Sequence, residues 1–379
     1  MTKIKHVIGI SGGKDSAALA IYLNKKYPKL DVTYYFCDTG KELDETYQLI
    51  KNLEIYLGKK VAHLTAKEPE QAGANPFDFY YKAFRGYLPS SQARWCTKKM
   101  KLEPFEEFVG DSPVVSYVGI RGDEDREGYI SKKPNIQSIF PFRRNIWSED
   151  VINRVLDNNN ISTIAELYSK QLKGTALKRA LDSVQKPFAE DKHYKEVTSR
   201  NRKEKLNSLL DAGVIPFNQV VFGFLKSTDY PLALTEDYPL LNNEDVLVRE
   251  DIFKILEESG VGIPGYYHKK EYEVDGKKGE YARSRSGCYF CFFQQKIEWI
   301  WLYEQHPDLF EKAMKYENEK EGFTWNQNES LKDIIQPRRM EHIKKEHLRR
   351  DGKEKSAKSK FLIDILDNTE DTGCTACFI

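Results

Sequence analysis

The sequence contains no long uninterrupted apolar run, so nothing in it reads as a bilayer-spanning helix and no membrane association is expected. It has no excess of either charge. The 59 Lys and Arg against 58 Asp and Glu leave +1, which excludes binding of polyanions by overall charge and leaves only local basic clusters for that purpose. Histidine is scarce, at seven, and none stands at ligand spacing from another, so a histidine-built metal site is not expected. The first residues lack an apolar signal segment, because Lys3, Lys5 and His6 run straight into a strand-like stretch. A cytoplasmic location is therefore expected, and there cysteines serve metals or catalysis more often than disulfides. What is present, 379 residues with 40% hydrophobic and 31% charged side chains, suffices for a large core and one or two domains.

The most informative stretch is Ser11-Gly12-Gly13-Lys14-Asp15-Ser16. It follows the apolar run His6–Ile10 and precedes Ala17–Leu23, which has helical composition and spacing. Strand, glycine turn and helix in that order gather backbone N–H groups and a helix N-terminus at one point, where a phosphate binds. Paired glycines allow close approach, Ser11 and Ser16 can donate hydrogen bonds, and Lys14 adds a point charge. The Walker A pattern fails, because Ile8 stands where it needs glycine and Asp15 where it needs Ser or Thr. The six residues instead resemble the PP-loop, SGGKDS, of the N-type ATP pyrophosphatases. That resemblance implies that the loop holds the pyrophosphate of ATP while the α-phosphate is attacked.

Further along, Asp31–Phe36 reads as a second strand leading into Cys37-Asp38-Thr39-Gly40, Glu42–Leu57 as a helix, Lys60–Leu64 as a third strand and Pro113–Val118 as another. Strands alternating with helices predict an α/β fold: a parallel twisted sheet with flanking helices, whose ligands sit beyond the carboxyl ends of the strands. Asp38 at such an end suits Mg²⁺ or a ribose hydroxyl, although Asp-x-Gly is also ordinary turn chemistry. Residues 146–245, rich in Lys and Arg between Lys170 and Leu210, read as a mostly helical insertion. Arg249–Leu256 reads as a helix before the turn Gly262–Tyr267, and Trp299–Glu319 as a helical pair broken at Pro307. From Arg338 to Lys360 basic pairs recur, suiting either a nucleic-acid backbone or a solvated charged helix.

Four stretches together resemble the PAPS reductase family. They are Asp38-Thr39-Gly40-Lys41-Glu42, Arg94-Trp95-Cys96-Thr97 through Lys101 and Pro104, Gly119-Ile120-Arg121 with Glu124 and Arg126, and Arg285-Ser286-Gly287-Cys288-Tyr289-Phe290-Cys291. Asp125 stands where the family usually has Ser, and Phe292 where it has Pro. The last stretch is similar to the branch of the DNA phosphorothioation protein DndC. The resemblance implies an adenine nucleotide alpha hydrolase-like fold over 1–145, a Cys-x-x-Cys family segment over 246–335, and a basic tail over 336–379 ending in a second Cys-x-x-Cys. It also implies that Ser11–Ser16, Asp38, Thr39, Gly40, Arg121 and Arg126 bind ATP and Mg²⁺, with Lys14, Asp15, Asp38 and Arg121 acting in the reaction.

The two Cys-x-x-Cys pairs, Cys288/Cys291 and Cys374/Cys377, leave three readings open. Cys96, Cys288 and Cys291 with a tail cysteine could hold a [4Fe–4S] cluster, which the resemblance favours. The two pairs could make a Cys₄ zinc site. Cys374 and Cys377 could be a redox or sulfur-carrying pair apart from any metal. Cys37, at a strand end, reads as a packed small hydrophobe.

The resemblance also separates reactions. Sulfonucleotide reductases typically carry an altered loop and a Glu-Cys-Gly-type tail, whereas this chain keeps SGGKDS and ends Gly373-Cys374-Thr375-Ala376-Cys377. The expectation is an enzyme that splits ATP to AMP and pyrophosphate and adenylates a substrate for sulfur transfer, served by a sulfur donor such as a cysteine desulfurase, with nucleic acid one candidate acceptor. The alternatives are a PAPS-type reductase and a non-catalytic nucleotide-sensing subunit of a defence complex.

Overall fold

The computed structural model describes residues 3–125, 131, 133–188, 199–327 and 329–356. Five strands, β1 (Lys5–Gly9), β2 (Val32–Cys37), β3 (Val61–Leu64), β4 (Val114–Tyr117) and β5 (Ile136–Ile139), form a parallel sheet in the order β3-β2-β1-β4-β5. In register, Lys5 faces Val114 and Ile8 faces Tyr117, while Val114 faces Ile136 and Tyr117 faces Ile139. Every residue of β4 and β5 is buried, as expected of strands covered on both faces. Helices Lys14–Lys26, Asp44–Leu57 and Glu103–Val109 fall between strands, giving the α/β layout expected from the alternation. β5 was not foreseen. It is four residues long, and Gln137 and Ser138 at its centre are polar yet buried, with the Gln137 side-chain oxygen accepting from Leu232 N–H at 3.1 Å.

The chain divides into two compact units. The first contains Met1–Gly9, Ala18–Tyr34 and Val109–Glu258. The expected insertion is helical: Glu149–Val155, Ile161–Gln171, Gly174–Val184, Ser199–Ala212 and Val214–Leu225. The last of these is apolar almost all round, with Val220, Val221 and Leu225 fully buried. Its one buried amide, Asn218, accepts from the Trp147 indole at 2.9 Å and donates to the Leu241 carbonyl at 3.2 Å, so neither buried polar group is orphaned.

The second unit contains Ile10–Ala17, Tyr35–Phe108 and Ser259–Ile379. Its core is aromatic. Phe290 lies 4.4 Å from Phe77 and 4.8 Å from Trp325 between ring centroids, with Trp299 buried beside Trp325. Helices Lys296–Gln305 and Pro307–Met314 meet at the expected break, the first opened by a capping box between Gln295 and Glu298. A hairpin, β6 (Lys270–Val274) and β7 (Lys277–Tyr281), turns at Asp275-Gly276, both at positive φ. The basic stretch forms helix Pro337–Ser356, and much of its charge is matched: Arg339 pairs with Glu329, Lys344 with Glu304 at 2.6 Å and Lys345 with Asp275 at 2.7 Å. Among the described residues no single helix is long and apolar enough to cross a membrane.

Candidate functional site

The glycine loop, the Asp38 turn and three cysteines all fall in the second unit. The loop follows β1 directly and runs into helix Lys14–Lys26. Gly12 has φ +73°, and a Cβ there would stand 2.2 Å from Thr46 Cγ2. A Cβ on Gly13 would stand 2.7 Å from Ser286 Oγ. Glycine is thus required at the first position by backbone and neighbour together, and at the second by the close approach of the cysteine-bearing segment. The serines hold the loop's shape: the Ser11 N–H donates to Ser16 Oγ at 3.1 Å, and the Gly13 N–H to Ser11 Oγ at 3.3 Å. Tyr266 donates its hydroxyl to the Gly12 carbonyl at 2.6 Å, and the Tyr267 hydroxyl accepts from Lys14 N–H at 3.4 Å. The Lys14 ammonium is buried, 3.1 Å from Asp15 Oδ2 and 4.9 Å from the centre of the Tyr267 ring. Two of the four residues expected to act in the reaction, Lys14 and Asp15, are therefore side by side.

At the end of β2, Asp38 Oδ1 accepts from the Gly40 N–H at 2.8 Å and from the Tyr47 hydroxyl at 2.9 Å. Thr39 is fully buried. Its hydroxyl donates to Glu42 Oε1 at 2.7 Å and lies 3.1 Å from Cys288 Sγ. Burial, and next the neighbouring Asp38, push the Glu42 carboxyl up from 4.5 to about 7. Glu42 and Cys288 also share an antiparallel bridge, extended by the Tyr289 N–H donating to the Lys41 carbonyl at 2.9 Å. The Asp38 turn and the cysteine turn are thus joined by backbone and side chain.

Cys96, Cys288 and Cys291 line one small cavity that opens to solvent, together with Thr39, Ser286, Lys101 and an aromatic wall. Cys96 sits where a short helix, Trp95–Thr97, passes into a π-helical turn, Lys98–Leu102, a distortion common at functional sites. Burial pushes the Cys288 and Cys291 thiols up, with Lys101 opposing it at both and Arg283 and Arg285 opposing it at Cys291. Cys37 is packed, as expected, its thiol on the Lys101 carbonyl at 3.6 Å and pushed up to about 12 by burial. Among the described residues no three His, Cys, Asp or Glu side chains are gathered closely enough to hold a metal ion. The three cysteines share the cavity but do not converge as a ligand set, so no chemical step is derived through a cluster or zinc ion. The loop, by contrast, has the close backbone approach and buried cation that a pyrophosphate needs.

Arg121 follows β4 in the first unit and is ion-paired to Asp123 and Glu124, each at 2.9 Å. Arg126, Cys374 and Cys377 lie outside the described residues. Two residues of the site went unremarked in the sequence. Glu42 is the acid of the Asp-Thr-Gly-x-Glu run, where its own role was not considered. Arg283 is fully buried beside Tyr266, and only its position two residues before Arg285 marks it.

Residues 5–173 match the family model of the phosphoadenosine phosphosulfate reductase domain. Two uncharacterized proteins of Methanocaldococcus jannaschii are similar to the chain. One is 31% identical over 147 residues, covering 35% of this chain and 28% of that protein. The other is 28% identical over 172 residues, covering 42% of this chain and 37% of that protein. The chain thus spans well under half the length of these curated relatives. No solved structure matches.

Proposed function

We propose that this chain is an ATP-cleaving enzyme that forms AMP and pyrophosphate, adenylating an acceptor for sulfur transfer. The observation that carries this reading is the join of an intact SGGKDS loop to a cysteine-lined cavity: Ser286 against Gly13, and the Thr39 hydroxyl 3.1 Å from Cys288 Sγ. A loop that only bound nucleotide has no need of thiols at its edge.

In this reading the loop amides and Lys14 take the β- and γ-phosphates, and an acceptor oxygen attacks the α-phosphorus. The bond from that phosphorus to the bridging oxygen breaks, pyrophosphate leaves, and the acceptor carries AMP. A sulfur nucleophile then displaces AMP, with the acceptor's carbon–oxygen bond replaced by carbon–sulfur. Asp38 would meet Mg²⁺ carried in on the phosphate oxygens, and the ion would supply charge neutralisation there. Cys96, Cys288 and Cys291 would carry the sulfur chemistry, with Cys374 and Cys377 as further thiols. A [4Fe–4S] cluster, or zinc in its place, remains part of the proposal, as do a cysteine desulfurase-type donor and a nucleic-acid acceptor. Incubation with α-labelled ATP and candidate acceptors should yield labelled AMP and free pyrophosphate. Release of ADP and phosphate, or sulfite formation from phosphoadenosine phosphosulfate without ATP cleavage, would overturn it. Anaerobic purification followed by iron, zinc and sulfide analysis decides the metal.

A further inference from the structure

The strongest unexplained feature is the Arg283 guanidinium. The side chain is 2% exposed, and its Nη2 donates to the Cys288 carbonyl at 3.1 Å. Its Nε and Nη1 are buried with no hydrogen-bond partner among the described residues, and no carboxylate there pairs with it. A buried cation left with two open donors is costly unless an anion completes it. The guanidinium presents parallel N–H groups, the geometry that grips two oxygens of one phosphate.

Two further guanidiniums lie near the same cysteine turn: Arg285, like Arg283, acts electrostatically on the Cys291 thiol, and Arg94 shares the Phe293 ring with Arg285. Arg94 lies 5.1 Å and Arg285 5.8 Å from the centre of the Phe293 ring, and neither has an ion-pair partner among the described residues. Phe293 lines the cysteine cavity, and Phe292 packs on it at 4.3 Å. Lys101 lines the cavity too. Lys14 in the glycine loop, by contrast, already has its acid, Asp15. The three arginines without an ion-pair partner among the described residues therefore lie near the cysteine turn.

We propose that Arg283, Arg94 and Arg285 form a second oxyanion site, distinct from the glycine loop, that seats a phosphate ester of the acceptor at the cysteine cavity. This rests on the function proposed above, but its test needs no turnover, so a failure to form AMP and a failure to bind at this site are separately visible. Arg283 sets the phosphate, while Arg94, Arg285 and Phe293 offer a cationic, stackable rim of the kind that receives a nucleotide unit.

The test is calorimetric titration of the full chain with inorganic phosphate, with and without a saturating α,β-methylene analogue of ATP. Saturable phosphate binding should persist with the analogue bound and weaken about tenfold in R283Q, less in R283K. Competition by the analogue would mean that the guanidinium serves the nucleotide's own pyrophosphate and would overturn the proposal, as would unchanged affinity in R283Q or no saturable binding. Should R283Q lose its cooperative melt, the R94Q/R285Q pair, at less buried positions, carries the test, and unchanged phosphate affinity there refutes the site. A short single-stranded oligonucleotide separates the sources. Binding about tenfold tighter than phosphate, lost in R94Q/R285Q, supports the ester. Affinity no better than inorganic phosphate assigns a small free anion and overturns the acceptor assignment.

Discussion

The Glu42 carboxyl makes stability depend on pH in a direction opposite to most acids. It sits half-buried between Asp38 and the Cys288 turn, accepting from the Thr39 hydroxyl, and burial followed by Asp38 raises it from 4.5 to about 7. In the unfolded chain it loses its proton near 4.5, so the folded state holds the proton more tightly. The contribution is fully present below about pH 4.5 and is lost as pH rises through about 7. At 1.36 kcal/mol for each pH step, a rise of this size corresponds to about 3 kcal/mol, an upper bound because solvent reaches part of the side chain. Glu317 is raised to about 7 as well, chiefly by burial, so the wild-type profile alone would mix two groups. The comparison with E42Q separates them. Glutamine keeps an oxygen for Thr39 but cannot ionise. Urea unfolding across about pH 5 to 8 should show wild type losing stability relative to E42Q by roughly 1–3 kcal/mol, most of it between about pH 5 and 7. Parallel curves for the two proteins would refute the assignment of a raised carboxyl at this position.

The loop glycines should separate by cause. G12A places a Cβ at positive φ and against Thr46, and should cost about 2–4 kcal/mol in urea unfolding as well as ATP binding measured by calorimetry. G13A meets chiefly side-chain hydroxyls, Ser286 Oγ at 2.7 Å and Ser11 Oγ at 3.2 Å, so it should cost less, and S286A should relieve part of it in a double-mutant cycle with a coupling of about 1 kcal/mol. Glu329, held by Arg339 and Lys296, sits at about 2 instead of 4.5, first through its hydrogen bond from Arg339. Its contribution is present above about pH 4.5 and lost as pH falls through about 2. E329Q should therefore lose about 1–2 kcal/mol at neutral pH, after discounting for the partly exposed partners, and approach wild type near about pH 2 in thermal melts.

The sheet and the loop were legible because they rest on local rules. Apolar runs ending in glycine turns announce β1 and β2, and paired glycines before a helix announce an anion site whatever surrounds them. β5 was hidden because its burial comes from the strand beside it, not from its own pattern: Gln137 is buried with only its side-chain oxygen partnered, by the Leu232 N–H, and its Nε2 has no hydrogen-bond partner among the described residues. The β6–β7 hairpin was legible in principle, since Asp275-Gly276 is the strongest short hairpin signal, but the alternation around it is mostly Lys and Glu and reads as a charged loop. The site divides the same way. Asp38, Cys288 and Cys291 stand in recognisable runs. Arg283 does not, because what sets it apart is a deficit, two buried donors without an acceptor, and a deficit exists only once the neighbours are placed. A motif names the groups that a sequence repeats; an unbalanced charge names what the fold still needs. Here both are found around one cysteine turn. The loop's lysine is matched by its own aspartate, while the arginines around Cys288 and Cys291 have no acid among the described residues, so the anion that completes the second unit has to come to the cysteine side.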